Sequence, residues 1–244
     1  MYSLGKKIVS RLVGSNQLIK HEVLLRKAYA ILYSGSTHHC AICTKKLSTF
    51  LQLPNNDLLC PQCGSLSRDR RLWAILNTGF LKDNVTVLDF SPSRSLARKM
   101  KKIRNINYIS TDLSGNFIAD FKYDITALDV ADSSIDLVIC YHVLEHITDD
   151  RTAIAELYRV LKPGGRAIIQ TPFKDGNIYE DFTITSPEER VVHFGQDDHV
   201  RIYSVNGLQQ RLEQAGFIAE PLHYNADDYN GLSANETVFT LTKP

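Results

Sequence analysis

The sequence predicts an α/β fold, a mostly parallel sheet with helices on both faces, together with a small N-terminal metal-binding module. Three observations carry this. Short apolar runs alternate with helical patterns from residue 85 onward. An acid-bearing loop starting at Asp124 leads into an apolar strand at 135–141, whose carboxyl end carries His142, Glu145 and His146. Four of the five cysteines form two pairs, Cys40-Ala-Ile-Cys43 and Cys60-Pro-Gln-Cys63. In open parallel sheets the carboxyl edge is where ligands bind, so the residues after 141 are the first candidates for a site.

The elements follow in order. Residues 20–33 have helical periodicity, and a second helix over 68–81 is read from Arg71, Leu72, Ile75 and Leu76; the two would bracket the cysteine pairs. Strands are expected at 85–90 and 106–111, with a helix at 94–103 between them, and a short third strand ahead of Asp124. Strand 135–141 is followed by a helix at 150–161, the Gly164-Gly165 turn and a strand at 166–171. Asn206–Ala215 reads as a helix halted by Gly216, and 235–242 as a late strand rich in β-formers. Boundaries of 1–82 for the module and 83–244 for the α/β domain result, with no internal repeat.

A chain of 244 residues has room for one full domain and a small accessory one, since a domain commonly takes about 100–200 residues. A composition of 43% hydrophobic and 23% charged residues excludes wholesale disorder. No apolar run reaches the roughly 18 residues of a membrane span, and the N-terminus lacks the apolar core of a secretion signal. The expected location is cytoplasmic. The net charge of +1 hides an asymmetry: residues 1–82 hold 12 Lys/Arg against Glu22, Asp57 and Asp69, or +9, and residues 83–244 hold 16 against 24, or −8. A basic module could meet RNA, anionic lipid headgroups or a phosphorylated substrate, or dock on the acidic part of its own chain or of a partner subunit. The sequence leaves these open, as it does the oligomeric state.

Sixteen residues separate the two cysteine pairs. Two knuckles at this spacing can offer Cys40, Cys43, Cys60 and Cys63 to one tetrahedral Zn²⁺, with Gly64 permitting the turn beneath the second pair. Two internal disulfides are the competing reading, which a reducing cytoplasm disfavours. A closed four-sulfur site has no vacant position, so the expected metal is structural. His38 and His39 are read as neighbours of the cluster, and Cys140 as a small core residue.

The run from Asp124 to His146, with Leu157-Tyr-Arg-Val-Leu-Lys-Pro-Gly-Gly165, resembles the central part of class I S-adenosylmethionine-dependent methyltransferases of the type 11-like group. The resemblance covers about residues 85–220. It implies a Rossmann-like fold with a seven-stranded sheet and S-adenosylmethionine as cofactor. By that resemblance Asp112 accepts hydrogen bonds from the ribose hydroxyls. Asp124 receives the adenine amino group, and Ile125 supplies backbone and apolar contact to the ring. Both roles suit an acceptor-only carboxylate. Asp89, Ser91 and Ser93 of the first loop, Leu113, and Tyr141 with Glu145 at the edge of the fourth strand complete the implied cofactor set. One departure stands out. Where the family has alternating glycines this chain reads Asp89-Phe-Ser91-Pro92-Ser93, and Pro92 removes a backbone donor.

The polar segment 173–203 exceeds a normal βα connection, and such segments are often lids or binding loops. Tyr179, Phe182, His193, Phe194, His199, Arg201 and Tyr203 could line an acceptor pocket. Alternatively, His199 and Arg201 tie the insertion together by pairing with Asp197, Asp198 or Glu180. Methyl transfer to a hydroxyl or amine needs alignment and a proton acceptor, and histidine titrates near neutrality. His146 is the first candidate base, followed by His142, His193 and His199. The expected function is methyl transfer to O or N of a small or glycan-linked polar acceptor. RNA methylation and a non-catalytic interaction protein of the same fold are the alternatives.

Overall fold

The computed structural model describes residues 15–244, with side chains from residue 21. Lys6, Lys7 and Arg11, part of the basic charge counted over 1–82, lie outside the described residues. Two compact units are present. One comprises the described residues through Ala74 together with Ala226–Ser233, and the other Ile75–Asn225 with Ala234–Pro244.

In the first unit, helix α1 (Ser15–Tyr29) runs into a 3₁₀ turn at Ala30–Tyr33. Two antiparallel hairpins follow, β1 (Ser34–His39) with β2 (Lys46–Leu47), and β3 (Leu51–Gln52) with β4 (Leu58–Leu59). Helix α2 (Ser67–Leu76) is shorter than the 68–81 read from periodicity, because Phe80 and Leu81 turn back onto the Leu76 carbonyl. The segment 226–233 belongs to this unit through the fully buried Arg70, which donates to the carbonyls of Asn230 and Gly231 at 3.1 and 2.6 Å. Gly231, at φ +61°, lies under the Phe50 ring so closely that a Cβ would come within 2.4 Å of it. Only glycine fits there.

The second unit holds a six-stranded sheet. Its strands are β5 (Thr86–Phe90), β6 (Asn107–Thr111), β7 (Ile135–Tyr141), β8 (Leu161–Gln170), and the late pair β11 (Ile218–Tyr224) and β12 (Glu236–Thr242), in the order β11-β12-β8-β7-β5-β6. The four from β6 to β8 are parallel, and β12 and β11 continue antiparallel. Because β6 lies on one side of β5 and β7 on the other, the strand order reverses between β5 and β7, the point where α/β sheets open a crevice.

Side-chain alternation sends Leu88, Phe90, Val138, Cys140, Ala167, Ile169, Phe239 and Leu241 to one face. There they share a core with α4 (Asp150–Val160) and α6 (Val205–Gln214) through Ile154, Leu157, Leu208 and Leu212. Val87, Leu137, Ile139 and Ile168 are buried but belong to no part of that cluster, nor do Leu96, Ala97 and Met100 of α3 (Arg94–Met100). Two residues of the Leu-Lys-Pro-Gly-Gly and Asp136 motifs turn out to be scaffold. Lys162 Nζ binds both oxygens of Asp136 at 2.7 and 2.8 Å, and Asp136 Oδ2 accepts from Thr86 N–H at 2.8 Å, locking the register of β5, β7 and β8.

Three expectations are corrected. The sheet has six strands and not seven: the expected third strand is reduced to a single parallel bridge between Thr111 and Phe121, and Phe117, Ile118 and Phe121 around it stay exposed. β11 was not expected, and Pro221 hides it from the pattern; as an edge strand it tolerates proline. The insertion contains a helix, α5 (Pro187–Phe194), between the short strands β9 (Tyr179–Glu180) and β10 (Arg201–Ile202). Ser186 caps α5 by accepting from Glu189 N–H, and Gly195 ends it at φ +87°.

Candidate functional site

The two knuckles of the first unit are built alike. Thr44 N–H donates to Cys40 O at 2.7 Å and Gly64 N–H to Cys60 O at 2.9 Å, and both residues are left-handed, at φ +60° and +76°. This brings four sulfurs together: Cys40 and Cys63 Sγ lie 3.6 Å apart, Cys43 and Cys60 Sγ 3.7 Å apart, and all four within 4.8 Å. The spacing fits a tetrahedral cation, since Zn–S bonds of about 2.3 Å set sulfurs about 3.8 Å apart. Ser65 Oγ touches the Cys40 and Cys63 sulfurs, and Arg70 Nη1 donates to Ser65 O at 2.7 Å, so a buried cation stands behind the cluster. His38 donates instead to the Asp228 carbonyl and His39 stacks on Tyr229, so neither replaces a sulfur.

The second centre is the carboxyl edge of the sheet. Ser91, directly after β5, takes the left-handed φ of +47°, and its N–H donates to Thr111 O at 2.7 Å. Its hydroxyl donates to Asp112 Oδ1 at 2.8 Å, while Ser114 Oγ and Phe117 N–H donate to Oδ2 at 3.0 and 3.2 Å. Asp112 is buried, yet these donors outweigh burial and hold its carboxyl below its ordinary value. Ser93 caps α3 through Leu96 N–H, and Asp89 accepts from Tyr108 Oη at 2.7 Å. Asp124 Oδ1 accepts from Thr126 N–H and Oγ1 at 2.8 and 2.7 Å, an Asx-type turn. Leu113 is exposed and Ile125 is part of the hydrophobic core.

After β7 the chain passes through Tyr141 and His142, the latter at φ +54°, into a 3₁₀ turn at Leu144–His146. Glu145 is buried, and its oxygens complete no hydrogen bond; His142 Nδ1 lies 3.3 Å from Oε1 without the alignment of one. His146 Nδ1 lies 3.3 Å from Asp198 Oδ2, and its ring meets that of His199 edge-on at 4.7 Å. Three of the four candidate histidines are thus assembled about Glu145. His193 is elsewhere, its Nδ1 at 2.7 Å from Tyr179 Oη.

The turn is held from below. Arg201, 1% exposed, donates to the carbonyls of Leu144, Ile147 and Thr148 and, through Nε, to Glu180 Oε2 at 2.9 Å. Arg211 joins Glu180 to Asp150, which also accepts from the buried Tyr203 hydroxyl. Arg201 and Tyr203 therefore brace the insertion, and His199 bonds to the Phe194 carbonyl. A cavity of about 540 Å³ lies at the same edge, over the ends of β8, β11 and β12. It is lined by Lys174, Asp175, Asn206, His223 and Thr237 among others, and by none of the seven insertion residues expected to line a pocket. Sequence reasoning missed Ser114 and this lining. Only Ser114, a hydroxyl two residues beyond an acid, had a local signal.

A reversed sheet order with an ionised acid at the end of its outermost parallel strand defines a nucleotide-type α/β site. Residues 68–169 match the family model described as a methyltransferase domain. A protein of Mycolicibacterium smegmatis named "Probable S-adenosylmethionine-dependent methyltransferase" is 29% identical over 97 residues, 40% of this chain and 34% of its own length. A demethylmenaquinone methyltransferase of Streptomyces avermitilis is 32% identical over 110 residues, 38% of this chain and 47% of its own. The chain therefore spans about a third to a half of the length of these curated relatives. Among solved structures, phosphoethanolamine N-methyltransferase 2 of Haemonchus contortus with S-adenosyl-L-methionine superposes with a TM-score of 0.52 at 18% identity, covering 72% of this chain and 52% of that one. A SAM-dependent methyltransferase of Archaeoglobus fulgidus gives 0.50 at 16%, covering 72% and 94%. At these identities the likeness is one of fold.

Proposed function

We propose that the chain is an S-adenosylmethionine-dependent methyltransferase acting at O or N of a small or glycan-linked polar acceptor. The observation that carries this reading is the buried, ionised Asp112 at the end of β6 beside the reversal of strand order, within a segment that matches the methyltransferase domain model. When bound, the cofactor supplies an electrophilic methyl group on its sulfonium. Asp112 accepts from the ribose hydroxyls, which take the place of the Ser91 and Ser114 hydroxyls on its oxygens. Asp124 Oδ2 and the Ile125 backbone meet the adenine edge, and Tyr141 and Glu145 flank the methionine part. Buried Gln170 Oε1 and Thr171 Oγ1, which lack partners at the end of β8, suit a polar ligand there. The polar cavity over β8, β11 and β12 takes the acceptor, and His146, with His142 and His199 beside it, accepts the proton. The four cysteines hold a structural Zn²⁺, in keeping with a reducing, cytoplasmic location.

Isothermal titration with S-adenosylhomocysteine tests the cofactor pocket. Binding is expected, with Asp112→Ala weakening it about 10- to 100-fold, the equivalent of one or two hydrogen bonds to a charged group. No heat of binding at millimolar ligand overturns the reading.

A further inference from the structure

Glu145 poses a problem that the methyl-transfer reading does not solve. A carboxylate withdrawn from water costs several kcal/mol unless something compensates it. Glu145 is 1% exposed and neither oxygen completes a hydrogen bond. A second orphan lies next to it. His199 is 4% exposed, its Nδ1 donates to the Phe194 carbonyl at 3.2 Å, and its Nε2 is buried with no partner. A carbonyl only accepts, so Nδ1 carries the proton and Nε2 presents a bare lone pair. A ring nitrogen of His146 completes the group, with one ligand atom from each of the three residues within 4.8 Å of the others.

We infer that Glu145, His146 and His199 form a second metal site, of two-histidine, one-carboxylate type, for a first-row divalent cation such as Zn²⁺, Fe²⁺ or Co²⁺. Two neutral imidazoles and one carboxylate are the donor set of open metal sites, which keep a position for a further oxygen ligand. Two ligands about 2.1 Å from one cation lie at most about 4.2 Å apart, so small side-chain adjustments close the group. The surroundings match what such sites require: Phe194 O fixes the His199 tautomer, Asp198 Oδ2 stands 3.3 Å from His146 Nδ1, and His142 Nδ1 stands beside Glu145 Oε1. The cation also supplies the missing counter-charge. Its open position would orient an acceptor oxygen. That last role rests on the proposed function; the site itself does not.

The test uses full-length protein with its cysteine site loaded with zinc, titrated with Co²⁺, which zinc outcompetes at a shared site. Elemental analysis, calorimetry and visible absorption are read together. One equivalent of Co²⁺ is expected in addition to one zinc, with a ligand-field spectrum free of the intense sulfur-to-metal band of a thiolate site. Glu145→Gln and His199→Asn should each weaken Co²⁺ binding more than tenfold, at or beyond the 10- to 100-fold range for partners of ligands, while zinc stays at one per chain. His146→Asn, at a half-exposed position, gives the same readout if a buried variant fails to fold. Absence of a second equivalent, or one unchanged by all the folded variants, overturns the inference. Titration of the same samples with S-adenosylhomocysteine keeps the two proposals apart, since either ligand can fail without the other.

Discussion

The Ser91 hydroxyl donates to Asp112 Oδ1 across 2.8 Å, joining the loop after β5 to the end of β6 at the reversal of strand order. Ser91 holds a left-handed backbone that glycine adopts without cost, and it adds a hydrogen bond that glycine lacks. Replacing it separates the two effects. Ser91→Gly removes a bond to a charged group, about 1.5–3 kcal/mol, but relieves about 1–2 kcal/mol of backbone cost. Ser91→Val loses the bond and adds a β-branched side chain at φ +47°. Urea midpoints should fall in the order wild type, Gly, Val; a Val variant as stable as the Gly one would show that the loop relaxes freely.

Acid should act through Asp112. Burial pushes its carboxyl up, but the Phe117 N–H and the Ser91 and Ser114 hydroxyls outweigh that and leave it below 3.8. A folded-state value below the unfolded one contributes stability that is fully present above the unfolded value and lost as pH falls through the folded one. Urea unfolding of wild type and Asp112→Asn, compared between about pH 7 and about pH 3, should show the gap closing below about pH 4. A constant gap would assign the loss to other groups.

Arg201 spans three carbonyls and Glu180 beneath the turn that carries Glu145 and His146. Truncation removes a donor from three backbone carbonyls and one of the two arginine partners of Glu180. Arg201→Ala is expected to cost about 3–5 kcal/mol. Hydrogen exchange should also rise first at 142–148, and uniform loosening of the sheet would contradict this local bracing role.

The two knuckles carry different residues at the same left-handed turn position. Thr44 and Gly64 hold equivalent left-handed turns, and only threonine carries strain there. Thr44→Gly should raise the thermal midpoint of the module by about 0.5–1 kcal/mol equivalent, whereas Gly64→Ala should lower it by more. Reversal of that order would mean that the Thr44 hydroxyl, which donates to Cys43 O at 2.7 Å, matters more than the backbone.

Chelation should loosen residues 38–66 before the sheet. Elemental analysis is expected to find zinc, and its removal to abolish amide protection around the cysteines while β5 to β8 keep theirs. Protein that is zinc-free yet fully ordered over these residues rejects the structural metal.

Local signals account for what was legible in the chain. Apolar strand 135–141 and the cysteine spacing each act over a few residues, and each reappears in the structure, whereas Gly164 and Gly165 lie within β8 at a register shift and not in a turn ahead of it. The cap of α5 was equally local, written as Ser186-Pro187 with Glu189 and closed by Gly195, and was overlooked within a segment read as a polar loop. The remainder was decided by residues distant in sequence. Nothing near Arg201 says that it will be buried beneath the 144–148 turn, nor that Ala226–Ser233 will join the cysteine unit. The sequence by itself determined the sheet, the four-sulfur cluster and the acid at the end of β6, because hydrophobic period, knuckle spacing and strand-end position are properties of short segments. Only the tertiary structure decided that Glu145, His146 and His199 meet, because that contact exists only where the insertion folds back over the end of β7 and seals a carboxylate away from water.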